Sequence, residues 1–129
     1  MKILLDTHAL WWFYSGSREL SKTALEAITE NDAYISIASF WEISIKVSIG
    51  KMNLDAPLDE FFKNVLDKRI FILPLGLDHV LKSSQLPFHH RDPFDRIIIA
   101  QAIVENMSLV TIDADFKLYA EQENFKIIW

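Results

Sequence analysis

The sequence predicts an α/β fold: one domain over residues 1–129, built as a three-layer α/β/α sandwich around a central, mainly parallel sheet. Three observations carry this expectation. Apolar runs of strand length recur along the chain, and stretches with helical spacing separate them. Strands joined through helices need crossover connections, which make the sheet parallel and put helices on both faces. The chain has 129 residues, half of them hydrophobic, with nine Phe, four Trp and three Tyr, enough for one substantial core.

The elements follow in order. Residues 2–6 read as a buried strand, and the aromatic-rich stretch 7–14 as a short helix. Residues 20–30 form a second helix with Ser21 as a candidate N-cap. "AYISI" (33–37) is the next strand. The helix over 39–51 has Ser39 near its start and Gly50 as a candidate C-cap. "PLDEFFKNVLDK" (57–68) has helical spacing in Leu58, Phe61, Phe62, Val65 and Leu66. "IFILPL" (70–75) is a strand broken by Pro74, and a short helix covers 77–84. "DPFDRIIIAQAIVENM" (92–107) is the clearest helix. "SLVTI" (108–112) is a strand, "ADFKLYA" (114–120) a short helix and "FKIIW" (125–129) a last strand.

Several function classes drop out early. The chain has no cysteine, so it has neither a disulfide framework nor a thiolate metal site. No apolar run approaches the roughly 20 residues of a membrane span. The start of the chain is one Lys and a short strand, unlike a signal peptide. A soluble cytoplasmic protein is expected. The net charge of −5 lacks the basic footprint of most nucleic-acid binders. Four carboxylates gathered on divalent cations would leave the remainder nearly balanced, so a phosphate-bearing substrate stays open.

Among eighteen acidic residues, four stand in apolar company: Asp6, Glu42, Asp95 and Asp113. In open α/β sheets, sites lie beyond the carboxyl ends of the strands. Asp6 and Asp113 both fall at such ends. Asp6 competes with a helix-capping role, and Thr7 beside it is suited to capping or to orienting water. Glu42 lies between large apolar residues and has Lys46 as an i+4 ion-pair partner. Asp92, Pro93 and Asp95 form a helix-start pattern with Asp92 as the cap, which leaves Asp95 at the edge of a buried helix. Asp113 is preferred for the site and Asp115 for capping, with the reverse left open. Four acids on one rim repel one another and lose solvation unless hard cations neutralise them. An all-oxygen donor set suits Mg²⁺, with Mn²⁺ as a substitute. Such ions promote hydrolysis at phosphorus.

"LLDTHAL", "SFWEISIK", "HHRDPFDRIIIAQA" and "LVTIDADF" resemble the successive motifs of PIN-domain ribonucleases, in particular VapC-type toxins of type II toxin–antitoxin systems. The resemblance spans nearly the whole chain. It implies a PIN-like fold and a Mg²⁺-dependent endoribonuclease. Its acid positions fall on Asp6, Glu42, Asp95 and Asp113, with Asp115 as the alternative fourth and Thr7 in support. It also implies an RNA substrate, a cognate antitoxin and a homodimer.

Other residues carry weaker expectations. The aromatics of "HALWWFY" suit core and interface, including a groove for a partner helix. His90 and Arg91, in a loop with His89, are candidates for RNA phosphate contact, against a plain solvated loop. Adjacent histidines argue against a His metal site. Arg96 is placed either against substrate or in a surface pair, and Lys46 and Lys51 against phosphate or in solvent. Two rival functions remain. A phosphoacceptor signalling domain also uses strand-end acids, but no Lys clearly follows an apolar strand. A non-catalytic binding module would have no use for the acid set.

Overall fold

The computed structural model describes all residues, Met1–Trp129. The order is β1 (Lys2–Leu5), α1 (Thr7–Ser15), α2 (Lys22–Glu30), β2 (Asp32–Ser36), α3 (Ile37–Ser48) and α4 (Leu58–Asp67). Then follow β3 (Ile70–Leu73), α5 (Leu77–Gln85), α6 (Pro93–Val104), β4 (Ser108–Val110), α7 (Ala114–Glu123) and β5 (Ile127–Ile128). The five strands form one sheet in the order β3-β2-β1-β4-β5, and every pairing is parallel.

β1 lies at the centre, which explains its unbroken apolar run: both its faces are covered. Its side chains alternate between two cores. Ile3 and Leu5 join Ala9, Leu10, Ile28, Phe40, Ile43, Phe61 and Val65 from α1–α4. Leu4 joins Ile98, Ile99, Phe116 and Tyr119 from α6 and α7 on the other face. The sandwich therefore has helices on both faces, as the sequence predicts.

Boundaries differ where caps decide them. The third helix starts at Ile37, not near Ser39, because the Ser36 hydroxyl accepts a hydrogen bond from Ala38 N at 3.0 Å. Gly50, with φ +75°, lies one residue past the cap position, where the left-handed turn that stops α3 favours glycine. Asn124, also left-handed, lets α7 run to Glu123, beyond the expected end. The clearest helix stops at Val104, short of Met107, because Asn106 is left-handed.

The order of strands determines the site. β1 and β4 are neighbours, so the segments leaving their carboxyl ends emerge side by side. α3 leaves β2, on the other side of β1, directly at its cap. The start of α6 packs against α3 from the opposite helix layer.

Candidate active site

Asp6 ends β1 and caps α1. Its Oδ1 accepts from Ala9 N at 2.7 Å, and its Oδ2 accepts from the Thr111 hydroxyl at 2.6 Å. Capping and a site role are therefore not alternatives here, since a carboxylate has lone pairs left after both bonds. Burial pushes the Asp6 carboxyl above its ordinary value, against the opposing pull of these two hydrogen bonds. Thr111 accepts in turn from Asp113 N at 3.1 Å. One hydroxyl thus ties the acids of two adjacent strands. The sequence reading missed Thr111; the available signal was a threonine at the end of an apolar strand, two residues before a candidate acid.

Asp113 combines the roles assigned to two residues. Its Oδ1 accepts from Asp115 N at 2.9 Å and caps α7, while its Oδ2 faces His90 Nε2 at 3.3 Å. Asp115, expected as the cap, is exposed in the first turn instead. The reason is position: only the residue before the first turn has its side chain free to meet the unpaired N–H groups.

Asp95 occupies the first turn of α6, behind the Asp92 cap, as the helix-start pattern predicts. Its Oδ2 lies 3.0 Å from His90 Nε2. Its carboxyl is pushed up to about 7, first by burial, then by the charges of Asp92, Glu42 and Asp6, with His90 acting in the opposite direction. Asp95 thus feels the charges of Glu42 and Asp6, while the ligand atoms that come together are those of His90, Asp95 and Asp113.

Glu42 is 8% exposed. Its Oε2 holds the Lys46 ammonium at 3.1 Å, the expected i+4 pair. Its Oε1 is buried and has no partner. Thr7 neither caps nor stays free for water: its hydroxyl donates to Ser39 Oγ at 3.0 Å. Ser39 precedes Glu42 by three residues on the same helical face, so Thr7 ties α1 to the helix that carries Glu42.

The largest departure concerns His90. It is not in a solvated loop. Its Nδ1 accepts from Asp92 N at 3.1 Å, so the ring proton sits on Nε2, pointing between Asp95 and Asp113. The ligand atoms of His90, Asp95 and Asp113 all lie within 4.8 Å of one another. Adjacency to His89 does not prevent this, because the two rings diverge; His89 meets Gln122 at 3.0 Å.

Arg96 is neither a substrate contact nor a surface pair. It is buried, and its guanidinium donates to the carbonyls of Ser83, Leu86, Pro87 and His90 at 2.7–3.2 Å. The end of α5 and the loop before α6 present these carbonyls, and a planar five-donor group satisfies them together. The buried Tyr119 hydroxyl completes the clamp: it accepts from His90 N at 2.8 Å and donates to Pro87 O at 2.6 Å. Arg91 is exposed at the rim.

The donor set fits a hard divalent cation. Asp6 and Asp95 are raised above ordinary carboxyls, and Glu42 keeps a buried Oε1 without a partner. Asp95 and Asp113, whose ligand atoms lie within 4.8 Å of each other and of His90 Nε2, would hold such an ion; Asp6 and Glu42 lie outside that group.

The PIN domain family model matches residues 3–122. The chain belongs to the PIN domain family. It is 28% identical over 115 residues to ribonuclease VapC22 of Mycobacterium tuberculosis, covering 86% of each chain. Among solved structures it resembles VapBC2 of Rickettsia felis bound to a promoter DNA fragment, with a TM-score of 0.67, 19% identity and coverage of 98% and 97%. A toxin–antitoxin complex from Klebsiella pneumoniae gives a TM-score of 0.62 at 23% identity, covering 88% and 89%. These two structural likenesses establish the PIN-like fold.

Proposed function

We propose that this PIN domain is a Mg²⁺-dependent endoribonuclease, the toxin of a type II toxin–antitoxin pair, with Mn²⁺ able to replace Mg²⁺. The observation that carries the reading is the excess of buried negative charge at one rim. Two acids are raised, and a third keeps an unpartnered oxygen. Mutual repulsion of this kind is costly unless cations offset it. The named VapC relative is a ribonuclease, which supports the same chemistry.

A bound divalent cation would supply Lewis acidity: a more acidic water and charge stabilisation at phosphorus. The protein's own contribution is arrangement. Asp6 is fixed by Ala9 N and Thr111, and Asp113 by its own helix start. The His90 Nε2–H donates between Asp95 and Asp113 and holds them together. This assigns His90 a positioning role in place of phosphate contact. Arg96 and Tyr119 fix the loop that carries it.

A cognate antitoxin, a homodimer and a cytoplasmic location belong to the same reading. The toxin–antitoxin neighbours support the first. The half-buried aromatics of α1 offer it a surface, with Trp12 packed edge-on to Trp129 at 5.8 Å.

The test is cleavage of bulk transfer and ribosomal RNA with and without Mg²⁺ or Mn²⁺. Cleavage should require the ion and vanish in Asp6→Asn, whose fold should persist by circular dichroism. Metal-independent cleavage, or full activity in that variant, would refute the reading.

A further inference from the structure

A groove of about 520 Å³ opens between the C-terminal half of α3 and the start of α6. Glu42 belongs to both this groove and the acid rim, so the groove begins where the proposed chemistry takes place. The remaining lining has two characters. Ile45, Ile49 and Phe94 supply apolar surface. Trp41, 60% exposed, meets the Phe94 ring edge-on at 5.3 Å and extends that surface outward. Lys46, Lys51 and Arg91 supply three cations.

This concentration is unusual in a chain of net charge −5. The two acids of the groove are already committed: Glu42 to Lys46, and Asp92 to Phe94 N as the helix cap at 2.9 Å. Lys51 and Arg91 make no ion pair. Unpaired cations beside an aromatic face match the two halves of a nucleotide, a phosphate and a flat base. A neutral peptide would leave both cations unpaired; an acidic peptide with apolar side chains is the competing occupant that the test below separates.

We propose that this groove is a nucleotide subsite. It takes an unpaired nucleotide next to the scissile phosphodiester, with the base on Phe94 and the two isoleucines and the phosphate on Lys51 and Arg91. The proposal rests on the ribonuclease reading and adds to it which residues of this chain hold the strand beside the scissile phosphate. A base inside a duplex has both faces stacked and cannot lie on Phe94. Cleavage should therefore require a single-stranded step on this side of the phosphate.

The experiment uses the full chain carrying Asp6→Asn, with Mg²⁺ present. The ligands are a fluorescein-labelled RNA of about 12 nucleotides, mixed in sequence, and the same strand in a duplex. The single strand should bind about tenfold or more tightly than the duplex and quench tryptophan fluorescence. Lys51→Ala with Arg91→Ala should weaken single-strand binding about tenfold and lower the salt slope by about 0.7 for each phosphate no longer neutralised. Phe94→Ala should cost about fivefold or more, and Phe94→Tyr should restore binding, which separates stacking from misfolding. In the otherwise wild-type enzyme, the same groove variants should raise KM more than they lower kcat. Equal affinity for duplex and single strand, or groove variants with unaltered affinity and KM, would overturn the subsite while cleavage by the wild type persists. Groove variants that lose binding of a cognate antitoxin without any effect on RNA would also overturn it, in favour of a protein-docking groove. A wild-type chain that cleaves no RNA with either ion would instead sink the ribonuclease reading itself.

Discussion

The chain contains two histidine–carboxylate clusters built on the same local plan. His79 accepts at Nδ1 from Gly76 N at 2.9 Å and points Nε2 at Glu105 Oε1 at 3.0 Å. His90 accepts at Nδ1 from Asp92 N at 3.1 Å and points Nε2 at Asp95 Oδ2 at 3.0 Å. Each cluster includes a third member, Asp78 in one and Asp113 in the other. The difference lies in what stands behind them. Asp78 and Glu105 expose 62% and 37% of their side chains, and water can solvate both. Asp95 exposes 22%, and it feels the charges of the nearly buried Asp6 and Glu42. A histidine facing a carboxylate is therefore ordinary structural chemistry. A site is marked by more buried negative charge than the histidine can offset.

The sharpest break between the clusters is removal of one acid from each. Asp95→Asn should lower RNA cleavage by about 10³-fold, on the scale of losing a main electrostatic group. Glu105→Gln should leave turnover within about twofold, because that carboxylate faces no catalytic group. A single-turnover assay with saturating Mg²⁺ compares them directly. Equal losses would mean that the second cluster also belongs to the chemistry.

The histidines should separate next, and in different observables. His90→Ala should weaken Mn²⁺ affinity and cleavage by about 10- to 100-fold, the usual cost of losing a group that orients metal ligands. His79→Ala should instead cost about 1–3 kcal/mol of stability, since it removes a buried ring and strands the Gly76 N–H that donates to it. Titration calorimetry with Mn²⁺ and urea unfolding read the two effects independently. His90→Gln, which keeps a side-chain donor, should recover part of the metal affinity.

The contrast also shows what a sequence can reveal. The sheet and its two helix layers were legible because burial on both faces forces continuous apolar strands and amphipathic helices. Asp6, Glu42 and Asp95 could be singled out for a related reason: each interrupts apolar sequence, and the charges of Asp6 and Glu42 are felt at Asp95. His90 and Arg96 were misread because their neighbours in sequence are polar. Their roles come from distant partners, carbonyls between Ser83 and His90 for Arg96 and an acid 23 residues away for His90. Thr111 and Tyr119 escaped notice because a hydroxyl within an apolar pattern looks like tolerated core until its partner is known. Asp113 and Asp115 were hard to separate because a helix cap and a site acid use the same residue type.

A smaller effect, in stability, follows from Asp95 with a definite sign. Its carboxyl has an ordinary value of 3.8 and is pushed up to about 7 in the fold. Between those values the folded carboxyl keeps a proton that the unfolded chain has released. Stability without metal should therefore fall as pH rises from about 4 to 7, with the full cost present above 7. Asp6, raised by burial, contributes in the same direction. Asp95→Asn should raise the metal-free Tm at pH 8 and do little at pH 4. Added Mn²⁺ should raise the wild-type Tm far more at pH 8 than at pH 5. Glu105→Gln should show neither trend. A wild-type Tm that rises from pH 5 to 8 without metal would contradict the crowded-acid picture.

The smallest contrast lies within a single turn. Asp113 and Asp115 are two residues apart at the start of α7, and both are acids suited to a helix N-terminus. Asp113 alone reaches back to His90 and is held by Thr111. Asp115→Asn should change stability by no more than about 0.5 kcal/mol and leave cleavage unaltered. Asp113→Asn keeps an oxygen able to cap α7, so it too should cost little stability. It should nevertheless reduce Mn²⁺ affinity measurably, because one of the two carboxylates that share the His90 proton has lost its charge. Comparable metal affinity in Asp113→Asn and wild type, with a loss in Asp115→Asn, would transfer the fourth acid to Asp115. That result would require α7 to start differently when the ion is bound. Amide exchange at Asp115 and Phe116, with and without Mn²⁺, would report such a change, because the capped turn protects those N–H groups only while Asp113 stays in place.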